Sequence, residues 1–145
     1  MCGRFTTTAG PETLRERFNV SVPEGYSERF NVAPRQRVLI VRPGRDGGRE
    51  AALVGWGLLP KWAKDAKTAA KMINARAETL VERPAFRSLL GRHRCLVLAD
   101  GFYEWRKDGK RKTPVRFVRK DREPFAFAGL HDGGAFTILT TVPNP

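Results

Sequence analysis

The chain has 145 residues, 41% of them hydrophobic, and 27 Lys and Arg against 15 Asp and Glu give a formal net charge of +12. That length and apolar share suit one globular domain with a real core, and no stretch approaches the roughly 18 apolar residues of a membrane span or the layout of a secretory signal, so a cytoplasmic protein is expected. The charge points to a polyanion; its even spread, nine basic residues in each of 1–50, 51–100 and 101–145, excludes a basic tail and assigns it to the folded surface.

In chain order, G-R-F-T-T-T at 3–8 is strand-like, and P-E-T-L-R-E-R-F at 11–18 predicts a short amphipathic helix with Pro in its first turn and Leu14 and Phe18 four apart. Residues 19–36, with two prolines and no periodicity, read as a long ordered loop. R-V-L-I-V-R at 37–42, the turn P-G-R-D-G-G and A-A-L-V-G-W-G-L-L at 51–59 predict a hairpin, with Trp56 in the core. A basic loop at 60–68 exposes Trp62 and leads into I-N-A-R-A-E-T-L, where Asn74 has the position of a helix N-cap. Pro84 opens a further short helix.

From 94 onward, the apolar runs R-C-L-V-L-A-D-G-F-Y-E-W, T-P-V-R-F-V-R, P-F-A-F-A-G-L and A-F-T-I-L-T-T, separated by turn signals, read as a meander. The expected fold class is α+β: a mainly antiparallel, barrel-like sheet core with a few short helices. Neither cysteine has zinc-site spacing, and Cys95 reads as a small buried strand residue.

Cys2 is different. Removal of Met1 would leave it with an α-amine and a thiol on adjacent carbons, a 1,2-aminothiol that traps aldehydes. The amine condenses to an imine and the thiol closes a five-membered thiazolidine, the second step gaining from its intramolecularity. An α-amine of pKa about 7.7–8.0 is a far better imine former at neutral pH than a lysine near 10.4. An incidental cysteine is the alternative that position alone leaves open.

The segments M-C-G-R-F, F-N-V-A-P, V-G-W-G-L-L-P-K-W, I-N-A-R-A-E-T, L-A-D-G-F-Y-E-W and F-T-I-L-T-T together resemble the SOS response-associated peptidase (SRAP) family along essentially the whole chain. The resemblance implies a sensor of abasic sites in single-stranded DNA that links its N-terminal cysteine to the ring-opened sugar as a thiazolidine crosslink, after loss of the initiator methionine. No metal or organic cofactor and no obligate protein partner are implied. Cys2 looks like the nucleophile, Asn74 is similar to the family's asparagine beside it, and Glu104 in F-Y-E-W to the family's acid, suited to moving protons. A carboxylate on a solvated strand face is the alternative for Glu104. Arg4 and Arg76 would clamp phosphates, and Pro34, Trp62 and Trp105 would offer apolar platforms to bases.

The resemblance departs at the end. The family's histidine, in a His-Asp-Arg-Met-Pro-like motif beyond the strand ending T-T, is not among these residues, so residues 1–145 are expected to form one domain that is C-terminally incomplete relative to the family. His93 and His131 are not its counterparts; they read as a surface imidazole and a turn residue. Loss of sheet closure is expected too, with A-F-T-I-L-T-T left as an exposed edge. A non-covalent single-stranded nucleic-acid-binding module and an N-terminal cysteine hydrolase remain the rival functions.

Overall fold

Residues 2–143 are described in the computed structural model, and their ten strands fall into two sheets. The larger holds β3 (Arg37–Pro43), β4 (Arg49–Trp56), β5 (Asn74–Arg76), β6 (Arg94–Ala99), β9 (Phe125–His131) and β10 (Ala135–Thr140). The order β4-β3-β6-β9-β10 is antiparallel throughout, and β10 then meets β4 in parallel through Ala135↔Gly55 and Phe136↔Trp56, so these five strands close a small barrel. The second half of β10 pairs in parallel with β5, from Ile138↔Asn74 to Thr140↔Arg76. Both sides of β10 are therefore paired, which corrects the expectation of an open barrel with an exposed last strand.

The smaller sheet has the order β2-β1-β7-β8, built from β1 (Phe5–Thr7), β2 (Arg29–Val32), β7 (Gly101–Asp108) and β8 (Arg111–Phe117). Two sequence expectations change here. The stretch 19–36 contains β2, because Val32 pairs with Phe5 and fills the core, a tertiary contact that no local pattern announces. The predicted meander is broken at Asp100: β6 belongs to the barrel, β7 crosses to the smaller sheet, and β9 returns to β6.

Alternation decides what each barrel strand buries. Val38 and Ile40 of β3 and Val97 of β6 point into a cluster with Phe5, Trp56, Phe136 and Ile138, where Phe5 meets Trp56 edge to face at a centroid distance of 5.0 Å. Leu39, Val41 and Leu98 face the other way, under α1 (Pro11–Phe18), and pack on Leu14 and Phe18. That helix begins with Pro at its N-terminus, carries Glu12 in the first turn, and ends at Asn19 in the left-handed conformation, whose N–H donates to Arg15 O at 2.9 Å.

A third cluster, Leu58, Ala75, Leu80, Phe86 and Leu130, lies under a 3-10 helix (Ala77–Glu82) and α3 (Pro84–Arg87). A short α2 (Lys67–Lys71) interrupts the loop after β4. The chain leaves β4 through Gly57, at φ 127°, where any Cβ would collide with the backbone carbonyl of Ala69. No helix among the described residues is long and apolar enough to cross a membrane.

Candidate active site

Cys2 lies just before β1 and is 8% exposed, packed on the barrel cluster that includes Phe5 and Ile138. Its position follows from how β1 meets β7. Phe5 pairs with Phe102 and Thr6 with Gly101, and the Tyr103 N–H donates to Arg4 O at 2.9 Å, so the antiparallel register continued brings Gly3 level with Glu104. On the other side β5 presents Asn74, whose amide Nδ2 donates to the carbonyl oxygen of Cys2 at 3.0 Å. Asn74 is thus a strand residue. The N-cap of the following 3-10 helix is Arg76, and the expected capping role for Asn74 does not occur.

Cys2, Glu104 and Arg76 line one cleft of about 710 Å³, whose apolar floor is formed by Phe102, Phe117, Phe127 and Ile138. Phe102 stacks on Phe117 and meets Phe127 edge to face, which fixes that floor. Asn74 and Arg76 also line an adjoining cleft of about 480 Å³ beside Trp62. The guanidinium of Arg76 is largely exposed and makes a 3.8 Å ion pair with Glu78 that solvent screens.

The electrostatics favour a protonated thiol. Burial pushes the Cys2 pKa up to about 11 and the negative charge of Glu104 adds to this, opposed in part by the backbone at Arg4. At neutral pH the sulfur therefore holds its proton and needs a neighbouring base to lose it. Glu104 is the carboxylate whose charge reaches it.

The predicted site residues divide by position. Cys2, Asn74, Glu104 and Arg76 converge on the two clefts. Arg4 and Trp105 sit on the opposite, solvent-facing side of the smaller sheet: Arg4 is level with Tyr103, alternation puts Trp105 on the Tyr103 side of β7, and Arg4 Nη1 donates to Asn31 Oδ1 at 3.1 Å. Trp105 is 54% exposed there, and Trp62 is 69% exposed in the turn after β4. Pro34 is half-buried in the turn joining β2 to β3. Met1, whose removal the aminothiol chemistry requires, lies outside the described residues.

His131 is not a turn residue: it ends β9, buried, with its ring 5.2 Å from that of His93, in the large sheet and outside both clefts. One site residue escaped sequence reasoning. Thr140, in the same cleft as Cys2 and Glu104, has a buried hydroxyl without a hydrogen-bond partner among the described residues, and so does the Oδ1 of Asn74. Threonines ending a strand are too common for Thr140 to stand out before its neighbours are known.

A family model described as SOS response associated peptidase (SRAP) matches residues 1–145. The chain is 46% identical over 157 aligned residues to the abasic site processing protein YoqW of Bacillus subtilis, covering 99% of this chain and 70% of that protein. It is 45% identical to the abasic site processing protein YoaM of the same organism, covering 99% of this chain and 69% of YoaM. A crystal structure of a Bacteroides thetaiotaomicron protein superposes with a TM-score of 0.82 at 27% identity, covering 99% of this chain and 69% of that one. With a family match along its full length and relatives nearly half identical over almost all of it, this chain belongs to the SOS response associated peptidase (SRAP) family.

Proposed function

We propose that this protein recognises abasic sites in single-stranded DNA and, once Met1 is removed, joins the ring-opened sugar to Cys2 as a thiazolidine. The family and the names of its relatives, abasic site processing proteins, support the substrate class. The observation that carries the chemistry is that Cys2 and the Glu104 carboxylate share one open, partly apolar cleft edged by Arg76, while the Asn74 amide, from the adjoining cleft, bonds the Cys2 carbonyl.

The steps balance without a cofactor. The α-amine of Cys2 adds to the C1 aldehyde of the sugar, and water leaves as the imine forms. Sγ then adds to the imine carbon, and the thiol proton ends on the ring nitrogen. One water is lost overall. Glu104 is suited to carry protons in both steps, taking one from a thiol that burial keeps protonated. The Asn74 amide holds the Cys2 carbonyl and so orients the amine, and its own Oδ1, with Thr140 Oγ1, offers polar contacts to the sugar.

The exposed Arg76 and the +12 charge suit phosphate binding, and Trp62, Trp105 and Pro34 supply apolar surfaces for neighbouring bases. Arg4 adds a cation on the Trp105 side of the sheet. On this reading residues 1–145 act as a single domain, in the cytoplasm and on the nucleoid when DNA is bound. An uncleavable residue placed before Cys2 tests the proposal. A denaturing gel with abasic single-stranded DNA should then show no retarded band, because ring closure needs the free amine; an undiminished band would overturn the thiazolidine mechanism.

A further inference from the structure

The seam between β1 and β7 is short. Its ladder has two paired positions, Phe5↔Phe102 and Thr6↔Gly101, extended by the single bond from Tyr103 N–H to Arg4 O. Backbone pairing of that length specifies register weakly, and a slip by two residues keeps the same side chains on each face. Such a slip would move the segment carrying Cys2 by about 7 Å along β7 and change how it faces Glu104.

Asp100 lies where this slip would have to begin. It is 7% exposed, and its carboxylate accepts from the β1 side at every turn. Oδ1 takes the Thr6 hydroxyl at 2.6 Å; Oδ2 takes the Thr8 N–H at 2.6 Å, the Thr8 hydroxyl at 2.7 Å and the Ala9 N–H at 2.9 Å. Its own N–H donates to Thr6 O at 2.9 Å. Arg116 reaches over from β8, with Nη2 donating to Thr6 Oγ1 at 2.9 Å and to Asp100 Oδ1 at 3.3 Å.

The guanidinium crosses β7 at Gly101, where a Cβ would stand 2.7 Å from Arg116 Nε and 2.9 Å from Thr6 Oγ1. A side chain here would push the Arg116 guanidinium or the Thr6 hydroxyl aside. Three strands are thereby tied at one point, four residues before Glu104 on β7 and four residues after Cys2 on the neighbouring segment.

We infer that Asp100, with Thr6, Thr8 and Arg116, is a positioning device that locks the register of β1 on β7 and so holds Cys2 against Glu104. This rests on the reading of Cys2 and Glu104 as the reacting pair, but the register itself is measurable without DNA. The reporter is the rate at which iodoacetamide alkylates each cysteine, read by mass spectrometry, with Cys95 inside the barrel as the internal control.

Thr6→Val keeps the side-chain shape and removes the hydroxyl; Thr6→Ser restores it. In Thr6→Val, Cys2 alkylation should rise about tenfold as the seam opens locally while Cys95 is unchanged, and Thr6→Ser should match the parent. Arg116→Ala, a milder change on the exposed side of the tie, should move Cys2 in the same direction. If Cys2 and Cys95 accelerate together, the network serves global stability only and the inference falls. Unchanged Cys2 labelling in both Thr6→Val and Arg116→Ala would overturn it as well.

Crosslinking to abasic single-stranded DNA supplies the second readout. Thr6→Val should slow the rate constant at saturating DNA by about 10²-fold, with the half-saturating concentration unchanged. A parent protein that fails to crosslink, while Thr6→Val still frees Cys2 alone, would sink the proposed function and uphold the register lock. A parent that crosslinks alongside a Thr6→Val protein of equal rate constant would uphold the function and overturn the lock.

Discussion

β6 and β7 are consecutive in the chain and read as one apolar run, yet they do opposite work. β6 is buried on both faces from Val97 onward: Val97 points into the barrel and Leu98 lies under α1. Beyond Gly101, β7 keeps one side toward the cleft with Phe102 and Glu104 and turns Tyr103 and Trp105 to the other, and it runs out through Arg106, Lys107 and Asp108 into solvent. One strand supplies stability and the next presents chemistry. The boundary between them is a buried carboxylate, which lets a rigid barrel fix the position of a reactive group at its margin.

The sharpest way to probe this contrast is on the cleft side of β7. Glu104→Gln keeps the shape and removes the titrating group, so the crosslinking rate constant should fall by about 10²–10⁴-fold. A quench-flow or gel time course with abasic single-stranded DNA checks it. A rate within a factor of two or so of the parent would assign proton transfer elsewhere.

On β6 the effect should be thermodynamic. Leu98→Ala removes packing against Leu14 and Phe18 and should cost about 2–5 kcal/mol of unfolding free energy in urea, while the crosslinking rate per folded molecule stays unchanged. Trp105→Ala, on the exposed side of β7, should reverse the pattern. Stability should move by no more than about 0.5 kcal/mol, and affinity for single-stranded DNA should fall by the roughly 1–3 kcal/mol of one stacked base. Equal losses of stability in both variants would erase the distinction between the strands.

The smallest effect is on pH dependence. Burial, then the charge of Arg42 and then His93, hold the His131 pKa below its usual value, so the unfolded chain binds a proton there that the folded chain does not. For Asp100, burial pushes the carboxyl up but the hydrogen bonds from Thr6, Thr8 and Ala9 outweigh it and hold it below the ordinary range. Both depressed values act in one direction: stability is full above the unfolded pKa and declines as pH falls through the folded one. Urea midpoints should therefore drop first below about pH 6.5 and again below about pH 4. His131→Gln should remove the first decline and leave the second. A midpoint that rises on acidification would contradict both assignments.

Much of this was legible in the residues. The helix at 11–18 and the hairpin read over 37–59 carried their own punctuation, and the unbroken apolar run Val38–Val41 of β3 suits a strand buried on both faces. The position of Cys2 raised the aminothiol chemistry before any fold was known. What stayed hidden depends on contacts distant in sequence. β2 exists because Val32 finds Phe5, barrel closure because Phe136 meets Trp56, and Asn74 is a strand residue because β10 pairs with it. Asp100 does not stand out within the run R-C-L-V-L-A-D-G-F-Y-E-W. Its role needs Thr6 and Arg116, 94 and 16 residues away, to be brought together.

The central claim is that a free N-terminal Cys2 bonds covalently to the sugar of an abasic site. Intact mass of the purified protein, alone and after mixing with abasic single-stranded DNA, tests it most directly. The free protein should have lost the mass of Met1, and the complex under denaturing conditions should weigh the sum of protein and DNA less one water. Retention of Met1, or an adduct of any other mass, or recovery of both partners unchanged, would contradict it.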